Sequence, residues 1–231
     1  MINKFYSKWV VLGILFLLPV IFLLFLYPST NNYSTLDIVQ ENIHELDSLN
    51  FVDNNATVLE SNITILNFLG DEPENKLTSV LNLKELVYDK FKGFKKFQII
   101  TISSKKSEVA LKKVKKKIIQ SDELKYWFFA SGNLKNYTNI FESLRSKNDL
   151  DSLNYTSQVF IVDKQKNQRG RIDDRNEDEI KKDSKMVGLY GYNSILVSEI
   201  KKKMNDDIRI LFTEYRQKRK GNFNSNIRRL D

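Results

Sequence analysis

The chain has 231 residues, a formal net charge of +8, no cysteine and a single histidine, His44. Thiol–disulfide exchange and peroxide reduction need a thiolate nucleophile, so both are excluded. One histidine outside the apolar runs also leaves no Ser-His-Asp or Cys-His arrangement near a core strand. We interpret His44 as a surface residue and the dispersed basic charge as a solvated surface.

The first predicted element is a membrane-spanning helix over residues 9–27, WVVLGILFLLPVIFLLFLY, which carries no charged residue. A helix of this length matches the hydrocarbon core of a bilayer, about 30 Å thick. A signal peptide would have a shorter apolar stretch and a small-residue cleavage site. Lys4 and Lys8 precede the run, and no Lys or Arg follows until Lys76. The positive-inside rule therefore predicts cytoplasmic residues 1–8 and an extracytoplasmic domain, as on the periplasmic side of a bacterial inner membrane.

After the anchor, we interpret residues 28–50 as a polar linker and residues 51–217 as one domain with its own core. Apolar runs predict strands at residues 63–69, 97–102, 124–130 and 158–163. Apolar residues at helical spacing predict helices near residues 77–91, 111–118, 134–144 and 194–217. We predict a short antiparallel strand near residues 170–172, a charged loop at 173–185 and a basic tail at 218–231.

The order of these elements predicts the fold class. Strands separated by helices imply parallel crossovers and a three-layer α/β sandwich. A final antiparallel hairpin covered by a helix makes the arrangement thioredoxin-like, with a mixed central sheet. A flavodoxin-like sheet is the alternative, but it would lack that hairpin and would carry a phosphate-binding loop after its first strand. Here that loop is DEPEN, residues 71–75, whose three carboxylates would repel phosphate.

Three segments resemble the Sco/SenC family. In that family the first strand ends in Phe-Thr-x-Cys-Pro-x-x-Cys-Pro, and residues 68–75, FLGDEPEN, occupy that place with Asp71 and Asn75 at the spacing of the two cysteines. Residues 127–132, WFFASG, are similar to the family's Trp-x-Phe-Leu-x-Gly. Residues 155–163, YTSQVFIVD, are similar to its His-(few)-Phe-Leu-Ile-Asp-x-x-Gly segment, with Tyr155 near the place of the metal-binding histidine.

The resemblance implies a thioredoxin-like fold, a membrane anchor and a role in cytochrome oxidase assembly, where Sco proteins act as copper chaperones. It marks Asp71, Asn75 and Tyr155 as vestigial positions of a metal site. Cu(I) favours soft thiolate and imidazole ligands, which these positions lack. We therefore expect a degenerate member of the family with no cofactor, no bound metal and no catalytic residue.

Two functions remain open at this point. The first is a non-catalytic, membrane-anchored binding or scaffolding domain with an unidentified protein partner, in respiratory complex assembly. The second is a metal-binding or enzymatic domain that uses the acidic loop Asp71, Glu72 and Glu74 on a hard cation. Another acidic set, within residues 173–179, departs from EF-hand spacing and is interpreted as a charged loop. No nucleic-acid partner is expected, because the domain lies outside the cytoplasm.

Overall fold

The computed structural model describes residues 4–26, 35–53, 55–119, 124–221, 223 and 226–230. The chain divides into two compact units, residues 1–34 and 35–231. The first unit contains helix α1, Lys4–Leu26. Its stretch Lys8–Phe25 is long and apolar enough to cross a membrane, in agreement with the predicted span. Tyr27, the last residue of that predicted span, lies outside the described residues, as do residues 28–34 of the predicted linker.

The second unit is built on a single eight-stranded mixed sheet. Its strands in chain order are β1 Asp37–Gln40, β2 Asn50–Phe51, β3 Ile63–Gly70, β4 Phe97–Ser104, β5 Trp127–Gly132, β6 Gln158–Val162, β7 Gln168–Gly170 and β8 Tyr192–Asn193. Their spatial order is β1-β7-β6-β3-β4-β5-β2, and β8 pairs with β6. The four predicted core strands are therefore neighbours, as β6-β3-β4-β5, and the predicted mixed sheet is confirmed.

The predicted parallel crossovers hold for only part of the sheet. Strands β3, β4 and β5 are parallel, whereas β6 runs antiparallel to β3. The reason is the long connection over residues 143–157, which follows the helix after β5 and returns the chain to the carboxyl end of the parallel strands. Strand β6 therefore runs back toward the amino end of β3, and the residues just before β6 lie beside the carboxyl end of β3.

Helices cover both faces of the sheet. In chain order they are α2 Leu77–Leu83, α3 Asp89–Phe91, α4 Glu108–Ile119, α5 Leu134–Glu142, α6 Glu177–Lys181, α7 Val197–Glu199 and α8 Asn205–Lys220. The predicted helix over residues 77–91 is divided by a π-helical turn, Lys84–Tyr88, between α2 and α3. A second π-helical turn, Ile200–Met204, joins α7 to α8.

Two apolar cores lie on opposite faces of the sheet. Helices α2, α4 and α8 bury Val80, Leu111 and Leu211 with one face. Helix α5 buries Tyr137 and Ile140 with the other. Every residue of β3 and of β4 is buried, as strands covered on both faces require. These three layers, with a terminal antiparallel hairpin covered by α8, make the domain thioredoxin-like.

The predicted linker over residues 28–50 is too long, because the domain begins before residue 51. Strand β1 pairs antiparallel with β7 at the sheet edge. Ile43, Leu46 and Leu49 are buried in the core beneath α5. These residues are separated by polar ones, so the segment lacks an apolar run, but together they fill one side of the core.

Parts of the predicted loop and tail form regular structure. Residues 173–185 contain helix α6, which begins at a capping box between Asn176 and Glu179. Helix α8 continues to Lys220 and ends at Gly221, whose φ of 71° is left-handed. Beyond it, the Ile38 N–H donates to the Arg228 carbonyl at 2.9 Å, and the Leu230 N–H donates to the Ile38 carbonyl at 3.0 Å. Residues 226–230 therefore extend the edge of the sheet at β1.

Candidate functional site

The position predicted for the vestigial site lies where β3 ends at Gly70. Gly70 has a φ of 65°, and a Cβ built on it would lie 2.2 Å from the Leu153 carbonyl oxygen. A side chain at this position would therefore clash with the segment that leads into β6. The Gly70 N–H donates to the Tyr137 hydroxyl at 3.1 Å, and that hydroxyl donates to the Asn154 carbonyl at 2.6 Å. These contacts fix the backbone from which Asp71 projects.

Asp71 lies between two parts of the chain that are distant in sequence. Its Oδ2 is 2.7 Å from Nζ of Lys106, which follows β4, and it accepts a hydrogen bond from Nδ2 of Asn154 at 3.1 Å. The Asp71 side chain is 8% exposed and the Lys106 side chain 70% exposed. The Asp71 N–H donates to the Leu153 carbonyl at 2.8 Å, and the Ser107 hydroxyl donates to the Asp71 carbonyl. Backbone and carboxylate are therefore both held by neighbouring segments.

These contacts determine the charge state of Asp71. Burial by itself would raise the pKa of this carboxyl, but the hydrogen bond and charge of Lys106, with the amide of Asn154, hold the pKa below its ordinary value. Asp71 is therefore ionised at neutral pH. A carboxylate held by an ammonium and an amide is not poised to exchange a proton near neutral pH.

The other two carboxylates of the acidic loop, Glu72 and Glu74, each have a partner within the chain. Glu74 Oε1 is 3.0 Å from Nζ of Lys113 on α4, and Glu72 Oε2 accepts a hydrogen bond from Nδ2 of Asn75 at 2.8 Å. Across the described residues, no group of three or more His, Cys, Asp or Glu side chains could hold a metal ion. The carboxylates at this loop thus point to separate partners rather than to a common centre.

Tyr155 lies at the same end of the sheet as Asp71 and Asn75. The ammonium of Lys76, the residue after Asn75, lies 4.2 Å from the centroid of the Tyr155 ring. The Asp151 carboxylate accepts the Leu153 and Tyr155 N–H groups, each at 2.8 Å, and so shapes the turn before β6. Burial raises the pKa of Tyr155, so its phenol stays neutral. In the part of the chain that the structure describes, no hydrogen bond or ion pair joins the three vestigial side chains directly.

Sequence reasoning did not identify the residues that hold Asp71. Lys106 follows β4, and the carboxyl ends of parallel strands share one sheet edge, so its position could have been inferred. The positive charge of Lys106 does not distinguish it from the many other lysines of the chain. Asn154 lies 83 residues from Asp71, in a polar segment without a motif, and only the topology brings it here.

Two other predicted features lie away from this end. The His44 ring Nδ1 lies 3.1 Å from the Asn139 carbonyl and is exposed. In the second acidic set, Asp173 pairs with Arg175 at 2.7 Å, and Asp174 pairs with Arg171 at 2.9 Å. Within this set, Asp173 and Asp174 are therefore paired with basic side chains of the same domain, and Glu179 takes part in the capping box of α6.

Fold and site together define a thioredoxin-like domain in which a carboxylate–ammonium pair stands at the end of the first core strand. No protein-family model and no curated protein sequence matches the chain. One similar solved structure is that of a putative electron transfer protein from Aquifex aeolicus. The two sequences are 11% identical, the match covers 75% of this chain and 92% of that one, and the TM-score is 0.48.

Sco proteins, which the sequence pattern resembles, are also among the similar structures. BsSco, a member of the Sco family of cytochrome c oxidase assembly proteins, has 14% identity, with 76% of this chain and 96% of that one covered and a TM-score of 0.44. Copper-bound Sco1 from yeast has 11% identity, with 78% and 94% covered and a TM-score of 0.42. At this identity the likeness concerns the fold alone.

Proposed function

We propose that this protein is a membrane-anchored, non-catalytic thioredoxin-like domain that acts by binding a protein partner outside the cytoplasm. In this proposal helix α1 is the anchor, and Lys4 and Lys8 in its first turns support a cytoplasmic amino-terminal end. The domain then faces the periplasm of a bacterial inner membrane. The Sco-like sequence pattern suggests assembly of cytochrome oxidase, or of another respiratory complex, as the process it serves.

The state of Asp71 carries the non-catalytic part of this proposal. At the position that corresponds to the first cysteine of the Sco pattern, the chain has a carboxylate paired with Lys106 and Asn154. Lys106 and Asn154 both occupy the Oδ2 atom of this carboxylate, and the low pKa of Asp71 leaves it without a proton to transfer near neutral pH. A thiolate is excluded by the sequence itself. At this end of the sheet the domain therefore offers a surface for a partner rather than a reactive group.

A complementation experiment with Asp71→Asn tests the proposal. The native bacterium is deleted for this gene and complemented with wild-type or D71N full-length chain, and the haem absorbance of cytochrome oxidase is measured in its membranes. We expect the deletion to lower the absorbance and both chains to restore it. A matched variant, Asp206→Asn, changes an exposed carboxylate on α8 that is 53% exposed and pairs with Arg209.

Two results would contradict the proposal. If D71N folds and reaches the membrane but fails to restore the oxidase while D206N succeeds, Asp71 has a chemical role and the domain is catalytic or metal-binding. If the deletion leaves the oxidase unchanged, the respiratory part of the proposal is wrong.

A further inference from the structure

A basic groove lies at the end of the sheet opposite Asp71, where β3 begins, β4 begins and β6 ends. Its volume is about 870 Å³, and Ile63, the first residue of β3, forms part of its floor. The cationic side chains around it are Lys95, Lys164, Arg216, Lys218 and Arg219. None of the residues that line the groove is acidic.

Four of these five cations have no acidic partner among the described residues. Lys218 is 2.6 Å from Oε1 of Glu214, a fully buried carboxylate that also binds Arg169. Lys95, Lys164, Arg216 and Arg219 make no ion pair within that part of the chain. Some basic residues elsewhere on the same domain do have acidic partners, as Lys112 does with Glu108 and Arg209 with Asp206. The groove therefore concentrates uncompensated positive charge.

The charges are close enough to act on one another. Burial lowers the pKa of Lys164, and the positive charges of Arg219 and Lys96 lower it further. Like charges brought together in this way are destabilising unless an anion neutralises them. An anion that enters the groove would remove that repulsion.

The groove also has an aromatic wall. Phe94 stacks on Phe212 with 4.3 Å between ring centroids, and Phe94 remains 45% exposed. The Lys164 ammonium lies 4.7 Å from the centroid of the Tyr215 ring. Basic side chains beside an exposed aromatic suit the zone of a bilayer in which charged headgroups meet the acyl chains.

We propose that this groove, lined by Lys95, Lys164, Arg216 and Arg219 and walled by Phe94, binds the phosphate headgroup of an anionic phospholipid. The inference rests on the membrane anchoring proposed above, which confines the domain to a bilayer surface. A headgroup supplies the negative charge that the groove lacks, and the adjoining acyl region accommodates Phe94. The domain would then contact the bilayer through a folded surface as well as through α1.

Flotation with liposomes in trans tests the lipid. Full-length protein is held in phosphatidylcholine nanodiscs and mixed with liposomes of phosphatidylcholine alone or with added phosphatidylglycerol. We expect co-flotation only with the phosphatidylglycerol liposomes, and its loss at high salt. The variant K95Q/K164Q/R219Q should bind roughly 100-fold more weakly, since each basic residue near an anionic surface contributes about one factor of five.

A matched triple variant separates the groove from net charge. K116Q/K117Q/K201Q removes the same charge from exposed helix positions and should float like wild type. Equal losses in the two triple variants would overturn the proposal, because binding would then follow overall charge. Should K95Q/K164Q/R219Q fail to fold, Arg219→Glu alone reverses one exposed charge at the end of α8, and unchanged flotation of that folded variant would also overturn it.

Soluble ligands distinguish the source of the anion. Full-length protein in phosphatidylcholine nanodiscs is titrated with inorganic phosphate and with a single-stranded oligonucleotide. Tight binding of inorganic phosphate without liposome binding would replace the lipid by a free anion, and preferred binding of the oligonucleotide would replace it by nucleic acid.

The flotation assay contains no oxidase, so its failure leaves the proposed function standing, and failed complementation leaves the lipid result standing.

Discussion

Lys106 and Asp71 form an ion pair across the ends of two neighbouring parallel strands, with 2.7 Å between Nζ and Oδ2. The Asp71 side chain is 8% exposed and the Lys106 side chain 70% exposed, so the pair joins a buried carboxylate to an exposed ammonium. Removal of the charge from the buried partner is therefore the informative change.

Asp71→Asn should lower the free energy of unfolding by about 1 kcal/mol near neutral pH, because a charged hydrogen bond to a mostly exposed lysine is lost. The pKa of Asp71 is lower in the folded chain than its ordinary value of 3.8. Its contribution is therefore fully present above that value and is lost as the pH falls through the folded-state pKa. Urea titration near neutral pH and at about pH 3 should show the difference between wild type and D71N shrinking in acid.

Asp206→Asn is the control for this measurement, because the Asp206 carboxylate is 53% exposed. Its effect on stability should stay within about 0.5 kcal/mol at neutral pH. A D71N chain as stable as wild type at neutral pH would contradict the role given to the pair.

Arg169 should be far more sensitive to substitution. Its guanidinium is 1% exposed, lies 2.5 Å from Glu214 and 3.0 Å from Asp163, and donates to the Leu36 carbonyl at 2.7 Å. Arg169→Met leaves the buried Asp163 without its counter-ion and Glu214 with only Lys218, and should cost about 3–5 kcal/mol. Urea unfolding followed by Trp127 fluorescence, in a Trp9→Phe background, measures the loss.

The exposed Arg216 on the same helix as Glu214 provides the comparison. Arg216→Met should change stability by no more than about 0.5 kcal/mol. The double variant R169M/E214Q should recover part of the loss caused by R169M, because one uncompensated charge is removed with it. Equal effects of R169M and R216M would show that the buried pair contributes nothing.

Two adjacent arginines test the edge formed by residues 226–230. Arg228 and Arg229 have equally exposed side chains, at 64%, but Arg228 binds Asp37, which is 3% exposed, and Arg229 binds Glu41, which is 43% exposed. Arg228→Ala should cost about 1–2 kcal/mol, because the buried Asp37 loses two hydrogen bonds. Arg229→Ala should cost less than about 0.5 kcal/mol. Thermal unfolding of both variants checks the difference, and indistinguishable midpoints would place residues 226–230 off the sheet.

The parts of the fold that were predicted from sequence are those in which local pattern and burial coincide. Strands β3, β4 and β6 are rich in apolar residues, because both of their faces are buried. Strand β1 has only four residues, two of them polar, and residues 226–230 have no apolar period, so their pairing depends on topology alone. At the site, Asp71 was predictable from its place after β3. Its partner Asn154 was not, because a contact across 83 residues leaves no local signal.

The orientation of the chain in the membrane can be checked with a reporter. A fusion after Asp231 to an enzyme that is active only outside the cytoplasm should be active, because Lys4 and Lys8 precede the uncharged stretch of α1 and the next lysine or arginine is Lys76. Addition of several lysines after residue 28, with Lys4→Gln and Lys8→Gln, should reduce that activity. A wild-type fusion active only with a cytoplasmic reporter would reverse the assignment of compartment.

The vestigial positions can be tested by installing the ligands that they lack. Asp71 and Tyr155 lie at the same end of the sheet, and Lys76, next to Asn75, contacts the Tyr155 ring. Because Cu(I) prefers thiolate and imidazole, the wild-type chain should bind it no better than an unrelated surface. D71C/N75C/Y155H should gain affinity in competition with a colorimetric Cu(I) chelator, and the Lys106 ammonium should favour the thiolate at position 71.

The control D71S/N75S/Y155F changes the same positions without soft ligands and should gain no affinity for Cu(I). A folded cysteine–histidine variant without affinity would show that the Sco alignment is wrong, and tight copper binding by the wild type would show that no site has been lost.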